Sequence, residues 1–110
     1  MKRASEFAMV RAQGSSAAGR FLVLSTLPYS GEGAGAKESR FGIITTRKLG
    51  HAVVRTLLRR RVREILREHG EPIRLGHYVV IIPRHTAATA SYQELEQDFR
   101  RLLKRKHFTQ

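Results

Sequence analysis

The chain contains no cysteine and no tryptophan, only three prolines, and only nine acidic residues among its 110. Without cysteine there is neither a disulfide framework nor a thiolate metal site, as suits a reducing compartment, and the cytoplasm is the expected location. Long hydrophobic runs are also missing. The longest are Phe21 to Leu24 and Tyr78 to Ile82, far short of the roughly 20 apolar residues a membrane-spanning helix needs. The basic start, MKRASEFAMVRAQG, lacks the apolar segment of a signal peptide, and no membrane partner is expected. Negative charge is the scarcest commodity of all: 21 lysines and arginines face nine acids, for a net charge of +12. Such a field attracts polyanions, with nucleic acid the first candidate.

Hydrophobic residues make up 41% of the chain and charged residues 27%, which describes a folded protein of one small domain, residues 1–110. Ser5 opens a short helix with Phe7 and Val10 on one side, and Gly14 ends it. Ser15 to Pro28 contains RFLVLSTLP, an apolar and partly β-branched run that predicts a strand. SGEGAGAKE, Ser30 to Glu38, is a polar connection; no Gly-Lys-Ser/Thr closes it, so it is not a phosphate loop. RFGIITT, Arg40 to Thr46, predicts a second strand, and YVVII, Tyr78 to Ile82, a buried central one. Ser91 and Glu94 have capping-box spacing ahead of Leu95, Phe99, Leu102 and Leu103, which repeat at helical intervals. The order helix, strands, helix, strand, helix is that of an α+β domain, one sheet covered by helices.

Between the second strand and the central one lies GHAVVRTLLRRRVREILREH, residues 50–69, with six arginines in the thirteen positions from Arg55 to Arg67. At about 100° per residue, Val54, Leu58, Val62 and Ile65 share one stripe, the side expected to pack on the sheet. Arg55, Arg59, Arg63 and Arg67 form an i, i+4 ridge beside it, joined by Arg60, while Arg61 falls toward the apolar side and is expected to pass the core edge with its stem buried. Glu64 is the sole acid from Arg47 to Arg67, so the face is not laced with ion pairs, and like charges four apart repel. A helix of this kind gains from an anionic partner. Arginine also suits two-pronged contact with phosphate and stacking on bases.

The stretch RFGIITTRKLGHAVVRTLLRRRVRE resembles the signature of the bacterial ribonuclease P protein subunit, in which a strand runs into a basic pair, a glycine, Ala-Val, Arg-Asn-Arg and a basic helix with an Arg-Glu pair. Gly42, Thr46, Arg47, Lys48, Gly50, Ala52, Val53, Arg55, Arg59, Arg60, Arg63 and Glu64 take the corresponding places. Ser5-Glu6-Phe7, Val10 and Gly14 match the family's first helix, and VVIIPR with TASYQELEQDFRRLL its last strand and helix. One departure stands inside the signature: Thr56 and Leu57 occupy the last two places of Arg-Asn-Arg.

The resemblance implies an α-β-β-β-α-β-α sandwich like that of a small ribosomal-protein domain, with a left-handed crossover around the arginine helix. It implies a protein that binds a large catalytic RNA and the 5′ leader of precursor tRNA, while the RNA, with Mg²⁺, performs the hydrolysis. Residues expected at the RNA are Thr46, Arg47, Lys48, His51, Arg55, Thr56, Arg59, Arg60, Arg63 and Arg67. Phe7, as the cleft aromatic, and Arg11 are expected at the leader. No obligate protein partner is expected. Nor is a protein active site: the five histidines have no ligand-like spacing, Glu64 pairs more naturally with a neighbouring arginine, and the remaining acids are scattered. The alternative is a ribosomal or general RNA-binding protein of the same fold. A DNA-binding domain is disfavoured, since no helix-turn-helix precedes the arginine helix.

Overall fold

A computed structural model describes residues 4–109. Helix α1 (Ala4–Gln13) leads into strands β1 (Ser15–Ala18) and β2 (Leu22–Pro28), then β3 (Arg40–Ile43), helix α2 (Ala52–His69), strand β4 (His77–Pro83) and helix α3 (Tyr92–Arg105). The strands form one sheet in the order β1-β2-β4-β3. β4 runs antiparallel to β2 and parallel to β3, so α2 is the crossover between two parallel neighbours. The α-β-β-β-α-β-α order matches the expectation.

Side chains alternate across a strand, and the register Leu24–Ile81–Ile43 and Thr26–Val79–Phe41 places those residues on one face. There Leu22, Leu24, Val79 and Ile81 meet Leu58, Val62 and Ile65 of α2 and Leu95, Phe99, Leu102 and Leu103 of α3 in one continuous core. The opposite face, with Ser25 and Val80, receives α1 through the fully buried Val10. Helix α3 begins as its sequence announces: the Ser91 hydroxyl accepts from the Glu94 N–H at 3.1 Å and the Glu94 carboxylate accepts from the Ser91 N–H at 2.9 Å.

Two strand expectations need correction. The strand expected in RFLVLSTLP is β2, but a further strand, β1, precedes it, and Gly19, Arg20 and Phe21 turn the chain between the two. The strand expected over Arg40 to Thr46 ends at Ile43; the Ile44 N–H still reaches the Ile81 carbonyl at 3.0 Å, after which the chain leaves the sheet for a 3₁₀ turn at Arg47–Leu49.

The β1–β2 turn is held by a carboxylate that the sequence did not single out. Asp98, 2% exposed, accepts from the backbone N–H groups of Arg20, Phe21 and Leu22 at 3.0, 2.9 and 2.9 Å. Its place, between Leu95 and Leu102 on the apolar stripe of α3, is the signal that could have marked it. A buried carboxylate is tolerated when its oxygens are hydrogen-bonded in this way. The approach is so close that a Cβ on Gly19 would lie 2.5 Å from an Asp98 oxygen. Asp98→Ala leaves these N–H groups without acceptors and should cost about 2–5 kcal/mol, read as a lowered urea midpoint. A loss below about 1 kcal/mol would show that the turn holds without it.

Helices α2 and α3 are also clasped at the surface, where His69 Nε2 donates to a Glu96 oxygen at 2.9 Å. That hydrogen bond, helped by the His69 charge and opposed by desolvation, holds the Glu96 carboxyl below its ordinary value of 4.5. A depressed carboxylate adds stability that is present above the ordinary value and is lost as pH falls through the folded one. Glu96→Gln should therefore destabilise near neutral pH, and its gap from the wild type should close as pH falls below 4.5 and through the lowered folded value. A gap unchanged down to about pH 3 would mean that the clasp does not use the charge.

Candidate nucleic-acid interface

Gly50 stands at φ 130°, a conformation that L side chains rarely adopt, and it turns the chain from the 3₁₀ segment into α2. This places Thr46, Arg47 and Lys48, all exposed, just ahead of the helix, with exposed His51 at its N-cap. Within α2 the stripe settles as expected, with Leu58, Val62 and Ile65 at 2%, 1% and 1% exposure and Val54 partly buried.

The arginines do not form one uniform rail. Arg60 and Arg63 are exposed. Arg59 is partly buried, and its guanidinium donates to the Thr45 hydroxyl at 2.6 Å and more weakly to Thr56 at 3.4 Å, tying the helix to the end of β3. Arg55 is partly buried too, with its Nε covered and without a protein acceptor. Arg67 pairs with Glu64, the role expected of that acid. Arg61 passes the core edge as expected and donates to the Ala90 carbonyl at 3.0 Å. Thr56 is exposed on the outer side. Among the described residues, Arg47, Lys48, Arg55, Arg59, Arg60 and Arg63 are in no ion pair with an acid.

Phe7 is partly buried and Arg11 exposed on α1. About Val10, Phe7 and Arg11 lie on one flank of the helix, Met9 and Gln13 on the other. The second flank borders a groove of about 610 Å³ that includes Leu27, Tyr29, Lys37, Arg40 and Tyr78, and that neither Phe7 nor Arg11 lines. Phe21 lies in the core and Phe41 packs against it. Tyr78 faces this groove instead, its ring edge-on to Tyr29 at 4.7 Å. Arg40 at the groove pairs with Glu6 at 3.1 Å.

The histidines do not assemble a catalytic centre. His77 Nδ1 donates to the Leu75 carbonyl at 2.9 Å, and its ring stands edge-on to Phe108. His69 lies in the clasp with Glu96, and Glu68 is close enough that the three offer ligand atoms within 4.8 Å of one another. Sequence spacing could not show this group, because α2 and α3 each contribute to it. It sits at the carboxyl end of α2, past the unpaired arginines.

The family model described as Ribonuclease P matches residues 1–107. The chain belongs to the ribonuclease P protein family. It is similar to the ribonuclease P protein component of Symbiobacterium thermophilum, 38% identical over 105 residues that cover 96% of this chain and 88% of that one. The same component of Syntrophomonas wolfei is 30% identical over 105 residues, covering 96% and 84%. The solved structure of the Staphylococcus aureus RNase P protein superposes with a TM-score of 0.86 at 25% identity, covering 100% of this chain and 96% of that one. Family membership decides between the two readings that the sequence left open. No helix among the described residues is long and apolar enough to cross a membrane.

If six unpaired cations each neutralise a phosphate, affinity for RNA should fall on the order of a thousandfold between about 50 and 200 mM salt. Arg63→Gln should make that dependence shallower by about one unit of slope while leaving the melting temperature unchanged. A complex indifferent to salt would reduce this face to a solvated surface.

Proposed function

We propose that two surfaces of this chain divide the work of a ribonuclease P protein: the Thr46–Arg63 face holds the catalytic RNA, and the Phe7–Arg11 flank of α1 guides the leader. As a family member the chain acts with its RNA in removing the 5′ leader of precursor tRNA, as the non-catalytic protein component of an RNA-catalysed endoribonuclease. The observation that carries the first assignment is the stretch from Arg47 to Arg63, which holds six arginines and a lysine and no acid. Arg67, already neutralised by Glu64, contributes less to the RNA than its neighbours.

Mg²⁺ belongs with the RNA. It requires oxygen ligands in a strict octahedron, and the first carboxylate along this face is Glu64, engaged with Arg67. The cytoplasm, where precursor tRNA is processed in a bacterium, is the compartment that suits this role and a chain without cysteine.

For the leader, Phe7 offers a ring that stacks on any unpaired base, and Arg11, one turn on, offers a charge for its phosphate. Such stacking tolerates every sequence and is worth roughly 1–3 kcal/mol per base. Phe7→Ala should weaken precursor tRNA binding by the holoenzyme by that amount, about 1–3 kcal/mol, and leave mature tRNA nearly unaffected. The same preparation of protein, freed of RNA, should leave precursor tRNA uncut. Equal losses for both tRNA forms would return Phe7 to a packing role, and specific cleavage by RNA-free protein would overturn the subunit reading.

A further inference from the structure

Val53 and Leu57 are 80% and 39% exposed, and they are the exposed large hydrophobic residues among the described ones. Both lie on α2. With Thr56 and Arg60 they follow the spacing i, i+3, i+4, i+7, so the four share one face. That face points away from the Leu58–Val62–Ile65 stripe, and folding leaves Val53 largely exposed and Leu57 partly so. Together with Ala52 the four residues line an open hollow of about 380 Å³. Its surroundings carry one sign of charge: the chain has no acid between Glu38 and Glu64. Arg60 forms one wall, and Arg59 donates to the Thr56 hydroxyl.

We propose that this hollow seats one unpaired nucleotide of the partner RNA, with its base against Val53 and Leu57 and its phosphate on Arg60. The assignment rests on the reading of α2 as the RNA-facing surface and deepens it. An apolar floor with a cationic rim matches the two halves of a nucleotide, a flat base and an anionic phosphate. A second copy of this chain fits poorly, since it would bring a net charge of +12 against another +12. The Thr56 hydroxyl stands between floor and rim, able to donate to a base edge or a ribose oxygen. This also accounts for Thr56 and Leu57 in the place of Asn-Arg: an amide and a charge are exchanged for a hydroxyl and an apolar contact, which keeps a grip on RNA that salt does not screen.

The test uses the full chain and its ribonuclease P RNA. Affinity is measured across a salt series for the wild type, for the Val53→Ala/Leu57→Ala double variant and for Arg63→Gln. Both alanines favour the helix, so the melting temperature should hold. The double variant should bind about tenfold more weakly at every salt concentration, with the slope against log salt unchanged, because apolar burial is not screened. In base-directed chemical probing, one unpaired nucleotide protected by the wild type should become reactive with the double variant. Unchanged affinity and protection would overturn the seat. So would a self-association seen in the wild type by sedimentation and abolished in the double variant without loss of RNA affinity, which would make a second copy the occupant. If instead Arg63→Gln leaves both affinity and slope untouched, the underlying assignment of the RNA face fails, whatever the double variant does.

Discussion

Everything this protein offers to RNA depends on the apolar side of α2. The arginines of that helix include like-charged neighbours three and four residues apart, Arg55–Arg59, Arg59–Arg63, Arg60–Arg63 and Arg63–Arg67, which together oppose the helix by about 1–2 kcal/mol. Against this, Leu58, Val62 and Ile65 are each at least 98% buried, and burial of such a side chain is worth about 1.5–3 kcal/mol. The apolar term wins severalfold. It wins only because a sheet stands ready to receive the stripe, with β3 and β4 parallel on either side of the crossover. An isolated peptide of this sequence has the repulsion without the compensation.

The sheet in turn separates the two tasks. One face is committed to α2 and α3, and the other to α1, so the Phe7–Arg11 flank proposed for the leader and the arginine face can vary without sharing core residues. Asp98 closes the arrangement at the far edge. It joins α3 to the β1–β2 turn through three successive N–H groups. The same residue explains why Gly19 has to be small.

Much of this was legible in the residues because it rests on periodicity. The α2 stripe, the Arg61 exception, the Ser91–Glu94 cap and the apolar β4 all follow from spacing, and each appears in the structure. What escaped depends on partners distant in sequence. β1 is Ser-Ser-Ala-Ala, with no alternation to mark it, and it becomes a strand because β2 lies alongside. Tyr78 sits in a run apolar on both sides, and only the register shows that it faces the groove while Val79 faces the core. The His69–Glu96 clasp spans 27 residues, and the Arg59–Thr45 bond joins a helix to a loop. Val53 and Leu57 read as ordinary helix hydrophobics until their angle from the stripe is set against their exposure.

That last pair bears on how the arginine face works. Arg59 and Arg61 tie α2 to Thr45 at the end of β3 and to the Ala90 carbonyl, while Arg67 pairs with Glu64 within the helix itself. Arg60 and Arg63 are exposed and, among the described residues, in no ion pair, so their charge is available to a phosphate. A surface whose cations were all satisfied internally would be more stable and would bind nothing. One whose cations were all free would rely on charge alone, and its grip would fall steeply with every rise in salt. Placing an apolar step beside the free arginines gives the face a component of affinity that ionic strength leaves alone. The chain can therefore have fewer arginines in its signature than the family pattern and still keep its RNA.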